Sequence, residues 1–131
     1  MVELAAVLET VVYCATENEE ETRRFYRDVL GLQPVREGSV AHRIGSGVFL
    51  LFNADESSVQ ESPPPHGARD ARVHTCFLAA PDDYERWKER LTDEGVEIVQ
   101  EIDWRNGPRS FYFEDPAGNL LEVAEGDMWP R

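Results

Sequence analysis

The sequence predicts an α+β fold made of two β-α-β-β-β units that close around a shared interior. Three observations predict it. Two strand–helix openings carry matching landmarks, three short strand patterns follow each opening, and a proline-rich stretch divides the two sets. The chain has 131 residues, which suits a single domain of residues 1–131. Within it the boundaries read as a first unit over 7–56, a linker over 57–70 and a second unit over 71–126.

Residues 10–16 are β-branched and apolar and read as a buried strand. Asn18 follows as a helix N-cap, with Glu21 completing a capping box. Phe25, Tyr26, Val29 and Leu30 form the apolar stripe of that helix, and Gly31 ends it. Short strands are expected at Gln33–Arg36, Ser39–Ile44 and Val48–Asn53. The segment Pro63-Pro64-Pro65-His66-Gly67 reads as a semi-rigid connection.

The pattern then repeats. Val73–Leu78 reads as a strand, Asp82 as an N-cap with Glu85 three residues on, and Tyr84, Trp87 and Leu91 as a helical stripe closed by Gly95. Asn18 and Asp82 are 64 residues apart, and so are Gly31 and Gly95. A shared offset at two landmarks argues for an internal duplication. The second set of strands is expected at Glu97–Asp103, Arg109–Glu114 and Asn119–Ala124. Turn chemistry at Asn106-Gly107-Pro108 and Asp115-Pro116-Ala117-Gly118 separates them. Neither unit holds enough core to stand alone.

Thirteen basic against 26 acidic residues give a formal charge of −13. Residues 1–62 contribute −6 and residues 63–131 contribute −7, so no acidic tail has been appended to a neutral fold. Such a charge disfavours nucleic acid and anionic membranes and leaves room for a cationic or neutral small molecule as the partner. Cys14 and Cys76 alone supply no disulfide framework, and no apolar run approaches a membrane span. The expected location is the cytoplasm.

Two motifs carry a family resemblance. Phe25-Tyr26-Arg27-Asp28-Val29-Leu30-Gly31-Leu32 resembles the helix-end signature of the vicinal oxygen chelate superfamily, and Phe111–Val123 resembles its C-terminal signature. This is the glyoxalase I, bleomycin-resistance protein and extradiol dioxygenase group, and the resemblance spans about residues 7–126. It implies a glyoxalase-like fold, in which curved mixed sheets form a half-open cup, and a homodimer. It also implies metal ligands on the first and last strand of each unit. In the second unit these positions fall on His74 and Glu122; in the first they fall on Val11 and Leu50, both apolar.

The residues themselves add to that expectation. Glu122 stands in a strand apolar on both faces, where a carboxylate is costly unless something compensates it. His74 shares a face with Cys76 by alternation. One reading is therefore a metal-dependent enzyme. His74 and Glu122 would hold a divalent Fe, Mn, Ni, Co or Zn ion that chelates vicinal substrate oxygens, and Glu122 would also be the catalytic base. The other is a metal-free protein that sequesters a cationic drug, favoured by the charge and by Val11 and Leu50. A degenerate scaffold with no small-molecule role is the blandest reading. Tyr13, His66, Arg109 and Trp104 are the expected substrate contacts, with Arg109 meeting an anionic group. Trp129 is expected to cover the cavity or to pack against a neighbouring subunit.

Overall fold

A computed structural model describes residues 1–105 and 107–130. The chain divides into two compact units, Met1–Ala71 and Arg72–Arg131. Each contains one four-stranded mixed sheet with helical cover, the duplicated arrangement the sequence predicts. Among the described residues no helix is long and apolar enough to cross a membrane.

The first unit opens with β1 (Glu9–Cys14), a 3-10 turn at Thr16–Asn18 and α1 (Glu19–Arg24), which widens into π-helical turns over Phe25–Val29. It continues with β2 (Gln33–Pro34), β3 (Ala41–Ile44), β4 (Gly47–Asn53) and a short α2 (Ala54–Ser57). The strand order is β1-β4-β3-β2, with β1 parallel to β4 and β3 antiparallel to its neighbours. Alternation gives the sheet two unlike faces. Val12, Phe49 and Leu51 are buried together with Phe25 and Tyr26, whose ring centroid lies 4.9 Å from that of Phe49. Each such large side chain, fully buried, contributes about 1.5–3 kcal/mol relative to exposure. Val11, Tyr13, Leu50 and Phe52 occupy the opposite face, where Val11 pairs with Leu50 and Tyr13 with Phe52.

The second unit comprises β5 (His74–Leu78), α3 (Tyr84–Asp93), β6 (Gln100–Asp103), β7 (Arg109–Glu114) and β8 (Leu120–Ala124), in the order β5-β8-β7-β6. One face carries Phe111, Phe113, Leu121 and Val123, all buried, and Tyr84 of α3 reaches Phe111 at 5.3 Å between centroids. The other carries His74, Cys76, Glu122 and Tyr112, because Cys76 and Tyr112 both pair with Glu122 across the ladders.

Four expectations need correction. Asn18 occupies the N-cap position of α1, but its side-chain oxygen accepts the N–H of Ala15 at 2.8 Å and caps no helical N–H. The helix is not uniformly α either: the Leu30 N–H bonds the Phe25 carbonyl five residues back. The N-cap position of the second helix falls on Asp83, whose side chain caps no helical N–H, since Asp82 sits at φ 70°, a left-handed conformation outside any helix. The helix starts are therefore 65 residues apart (Glu19 to Tyr84), whereas Gly31 and Gly95, both at positive φ, keep the offset of 64.

The fourth correction concerns the segment expected as a linker. It folds back on the first unit: the Tyr13 hydroxyl lies 2.6 Å from His66 Nδ1, and Arg69 pairs with Asp55 at 2.9 Å and with Glu17. Gly67, at φ 85°, lies against Tyr13 so closely that a Cβ there would fall 2.3 Å from the ring. Asn106, expected in a turn, lies outside the described residues.

Candidate functional site

In the second unit, β8 starts from a side-chain-locked turn. Asp115 Oδ1 accepts the N–H groups of Ala117 and Asn119, each at 2.9 Å, while Oδ2 accepts from the Asn119 amide at 2.8 Å. Asn119 is fully buried, and its side-chain oxygen accepts the Val73 N–H at 3.3 Å, one residue before His74. The beginnings of β5 and β8 are thereby fastened to one another, which sets His74 against Glu122.

His74 Nε2 lies 3.1 Å from Glu122 Oε1, and His74 Nδ1 lies 2.9 Å from the Leu120 carbonyl. A carbonyl only accepts, so Nδ1 carries a proton and donates it. In a neutral ring Nε2 then offers a lone pair toward a carboxylate oxygen. Two acceptors in contact call for a proton or a cation between or beside them. Glu122 is 3% exposed, and its Oε2 has no hydrogen-bond partner among the described residues. A buried, unsatisfied carboxylate oxygen next to an imidazole oriented by a backbone carbonyl fits a divalent metal. Yet no three His, Cys, Asp or Glu side chains among the described residues already converge as a metal cage. Among the described residues, His74 and Glu122 are the pair that could hold such an ion. His74 itself is half-exposed.

The surrounding groups are held in their uncharged forms. Burial pushes the Cys76 thiol up to about 12, and the neighbouring Glu122 charge adds to the rise. Burial and then Glu122 likewise raise the Tyr112 phenol, whose ring stacks on His74 at 6.0 Å. Neither group donates a well-formed hydrogen bond to Oε2.

A pocket of about 260 Å³ opens on this pair, lined by His74, Trp104, Tyr112, Glu122, Met128 and Trp129. Trp104 is held there by its indole N–H, which donates to the Ser110 hydroxyl at 2.8 Å. Trp129, expected as a cover or a subunit contact, lines the pocket and remains 76% exposed. Tyr112 and Met128 were not foreseen. Alternation along β7 carries the signal for Tyr112, whereas nothing in the sequence distinguishes Met128. A larger depression of about 490 Å³ along α3, between Asp83 and Glu94, is open, charged and remote from these groups. It contains no buried unsatisfied atom and is surface relief.

Arg109 corrects the expectation placed on it. Its alternation with Phe111 and Phe113 directs it to the α3 side of the sheet, away from Glu122. There it lies over the Tyr84 ring at 4.8 Å and pairs with Glu125 at 2.9 Å and Glu85 at 2.8 Å. It does not line the pocket.

Tyr13 and His66 meet in the first unit. The Tyr13 hydroxyl stands 2.6 Å from His66 Nδ1, and the His66 ring meets Phe52 edge-on at 4.8 Å. Burial raises the Tyr13 phenol, so it stays protonated beside Nδ1. Val11 and Leu50, directly paired on the same face, offer no ligand atom.

Comparison with known proteins matches residues 11–123 to the family model described as Glyoxalase/Bleomycin resistance protein/Dioxygenase superfamily. The chain is similar to a structure of lactoylglutathione lyase from Agrobacterium tumefaciens, with 34% identity and a TM-score of 0.85, covering 97% of this chain and 98% of that one. It is 28% identical over 110 residues to the metallothiol transferase FosB of Staphylococcus saprophyticus, covering 82% of this chain and 69% of the relative. It is also 28% identical over 118 residues to the glutathione transferase FosA of Serratia marcescens, covering 89% and 79%.

Proposed function

This chain belongs to the Glyoxalase/Bleomycin resistance protein/Dioxygenase superfamily, and on that premise we propose that it is a metal-dependent enzyme whose small-molecule substrate presents two adjacent oxygens. One observation carries the reading: the buried Glu122 carboxylate of the pocket pairs through Oε1 with His74, while its buried Oε2 has no hydrogen-bond partner among the described residues. His74 Nε2 and Glu122 are the groups that would hold a divalent Fe, Mn, Ni, Co or Zn ion. Such an ion supplies Lewis-acid stabilisation of negative charge developing on the substrate oxygens.

The remaining chemistry belongs to the chain. The Leu120 carbonyl fixes the His74 tautomer and ring plane through Nδ1–H. Glu122 Oε2, without a well-formed hydrogen bond among the described residues, is the atom assigned to accept a proton from substrate. Tyr112 stays protonated beside it and offers an O–H to a substrate oxygen. Trp104 limits water access from one side of the pocket. Tyr13 and His66, paired on the face that also carries Phe52, are the polar groups the first unit offers to substrate. The reading includes a cytoplasmic homodimer. Support for association comes from Leu78, which is 66% exposed on β5, an edge strand of its own sheet.

A second reading, sequestration of a cationic small molecule without chemistry, is favoured by the apolar Val11–Leu50 rung and by the charge of −13. Elemental analysis separates the two. Near-stoichiometric metal in the wild type after supplementation, lost in both His74→Ala and Glu122→Ala, is expected for the enzyme. Metal content that is low and unchanged in both variants would overturn it.

A further inference from the structure

The pocket beside Glu122 has a composition that says more about its ligand than the His–Glu pair does. Of its six lining residues, Trp104, Tyr112, Met128 and Trp129 present ring faces, edges or a thioether. The other two, His74 and Glu122, are the groups assigned above to the metal. No Lys or Arg is among the described lining residues. Arg109 is on the other side of the sheet, held by Glu85 and Glu125. Arg72 precedes β5 and is already committed, donating to Glu114 at 2.6 Å and to the Gly118 carbonyl at 2.7 Å.

An anionic group entering this space would lose water without gaining a cation from the described residues that line it, a cost that apolar surface does not repay. A flat uncharged ring would gain. Aromatic side chains bind rings through offset-stacked and edge-on contacts, and a methionine sulfur adds favourable contact at a ring edge. Size agrees as well, because an apolar cavity of about 150 Å³ admits benzene, and this pocket measures about 260 Å³. The surplus accommodates a two-oxygen head group next to His74 and Glu122.

We propose that the substrate carries, beside its oxygen pair, an uncharged aromatic ring that lies against Trp104, Tyr112, Met128 and Trp129. This rests on the metal-dependent reading of the same pocket and adds the class of molecule that fills it. Trp129 and Trp104 act as specificity-determining residues. They touch the part of the substrate that does not react.

Hydroxamates with one chelating head and different tails test this directly. Calorimetric titration of the metal-supplemented protein would compare acetohydroxamate, benzohydroxamate and succinate monohydroxamate. Benzohydroxamate is expected to bind at least tenfold more tightly than acetohydroxamate, and the acid-tailed compound no better than acetohydroxamate. Trp129→Ala, at an exposed position that leaves the core intact, should remove most of the benzohydroxamate advantage, and Trp129→Phe should restore part of it. Acetohydroxamate affinity should be unchanged in both variants. Equal affinities for the three compounds, a preference for the acid tail, or a benzohydroxamate advantage insensitive to Trp129→Ala would overturn the inference and leave the metal site standing. Binding of none of them would instead overturn the metal-dependent reading, and the inference with it.

Discussion

Asn119 accepts the backbone N–H of Val73 through its side-chain oxygen, across two strands whose next residues set the spacing of His74 and Glu122. The same amide donates to Asp115, so this buried side chain is satisfied on both ends. Asn119→Ala is expected to destabilise the protein by about 1–3 kcal/mol, the cost of leaving buried partners unpaired. Because the strand starts would loosen, metal affinity should fall as well. Urea unfolding together with a metal titration checks both, and full affinity in a destabilised variant would confine Asn119 to a stabilising role.

Glu122 is a liability to the metal-free fold, being a nearly buried carboxylate with one oxygen unsatisfied. Replacing such a charge by an apolar side chain of similar volume is often stabilising by about 1–4 kcal/mol. Glu122→Met should therefore raise the denaturation midpoint of the metal-free protein while abolishing metal uptake. A lower midpoint would mean that the carboxylate stabilises the fold by contacts other than the single His74 bond.

His42 gives the fold an acid-sensitive limb. It is 3% exposed, donates from Nδ1 to the Phe49 carbonyl at 3.2 Å, and is held below the ordinary imidazole value chiefly by burial. The unfolded chain thus binds this proton more readily than the folded one. The stability it contributes is fully present above about pH 6.5 and is lost as pH falls toward the depressed folded value. Denaturant unfolding at pH 8, 6.5 and 5 should show the decline, and His42→Gln should make it shallower.

Cys76 should be a slow thiol despite its exposure. With its ionisation pushed up to about 12, the thiol stays almost wholly protonated at pH 8. Removing the adjacent charge in Glu122→Gln should speed alkylation, since the carboxylate adds to the rise, while burial keeps the rate below that of a free thiol. Cys14, 2% exposed, should react only on unfolding. Mass spectrometry over an iodoacetamide time course distinguishes the two sites.

Gly67→Ala should be among the most damaging single changes in the first unit. It combines a left-handed backbone at φ 85° with a Cβ placed 2.3 Å from the Tyr13 ring. Strain and overpacking together predict a loss of about 2–4 kcal/mol. The Tyr13–His66 bond would be displaced with it, visible as a shifted His66 resonance in NMR.

Much of this architecture could be read from residue types, and the failures share a cause. β7 matched its expected span, Arg109–Glu114, and both helix-ending glycines were legible, because alternation and positive φ are local properties. The N-cap position at Asp83 was not, since two consecutive aspartates offer the same chemistry and only the backbone at Asp82 distinguishes them. The π-helical stretch depends on how Phe25, Tyr26 and Leu30 seat in the core, which periodicity does not encode. Composition makes 57–70 look like a linker, and the bonds from Tyr13 to His66 and from Arg69 to Asp55 and Glu17 reveal its attachment.

At the site, His74 and Glu122 were legible as chemically costly residues in apolar strands. Arg109 was misassigned for a definable reason. Its alternation with Phe111 and Phe113 is local, but which face of β7 meets Glu122 depends on the pairing of Tyr112 with Glu122. Register across strands is long-range information. Met128 had no signal at all, because its role comes from where the chain travels after β8.

Two of the three tryptophans, Trp104 and Trp129, stand at the mouth of one small pocket, and the third, Trp87, sits on α3. The protein therefore carries its own optical reporter. Emission from the two indoles should quench or shift when the pocket fills, while Trp87 supplies a constant background. A library of unlabelled compounds could be screened against the native chain by fluorescence alone, before any reaction has been assigned to it.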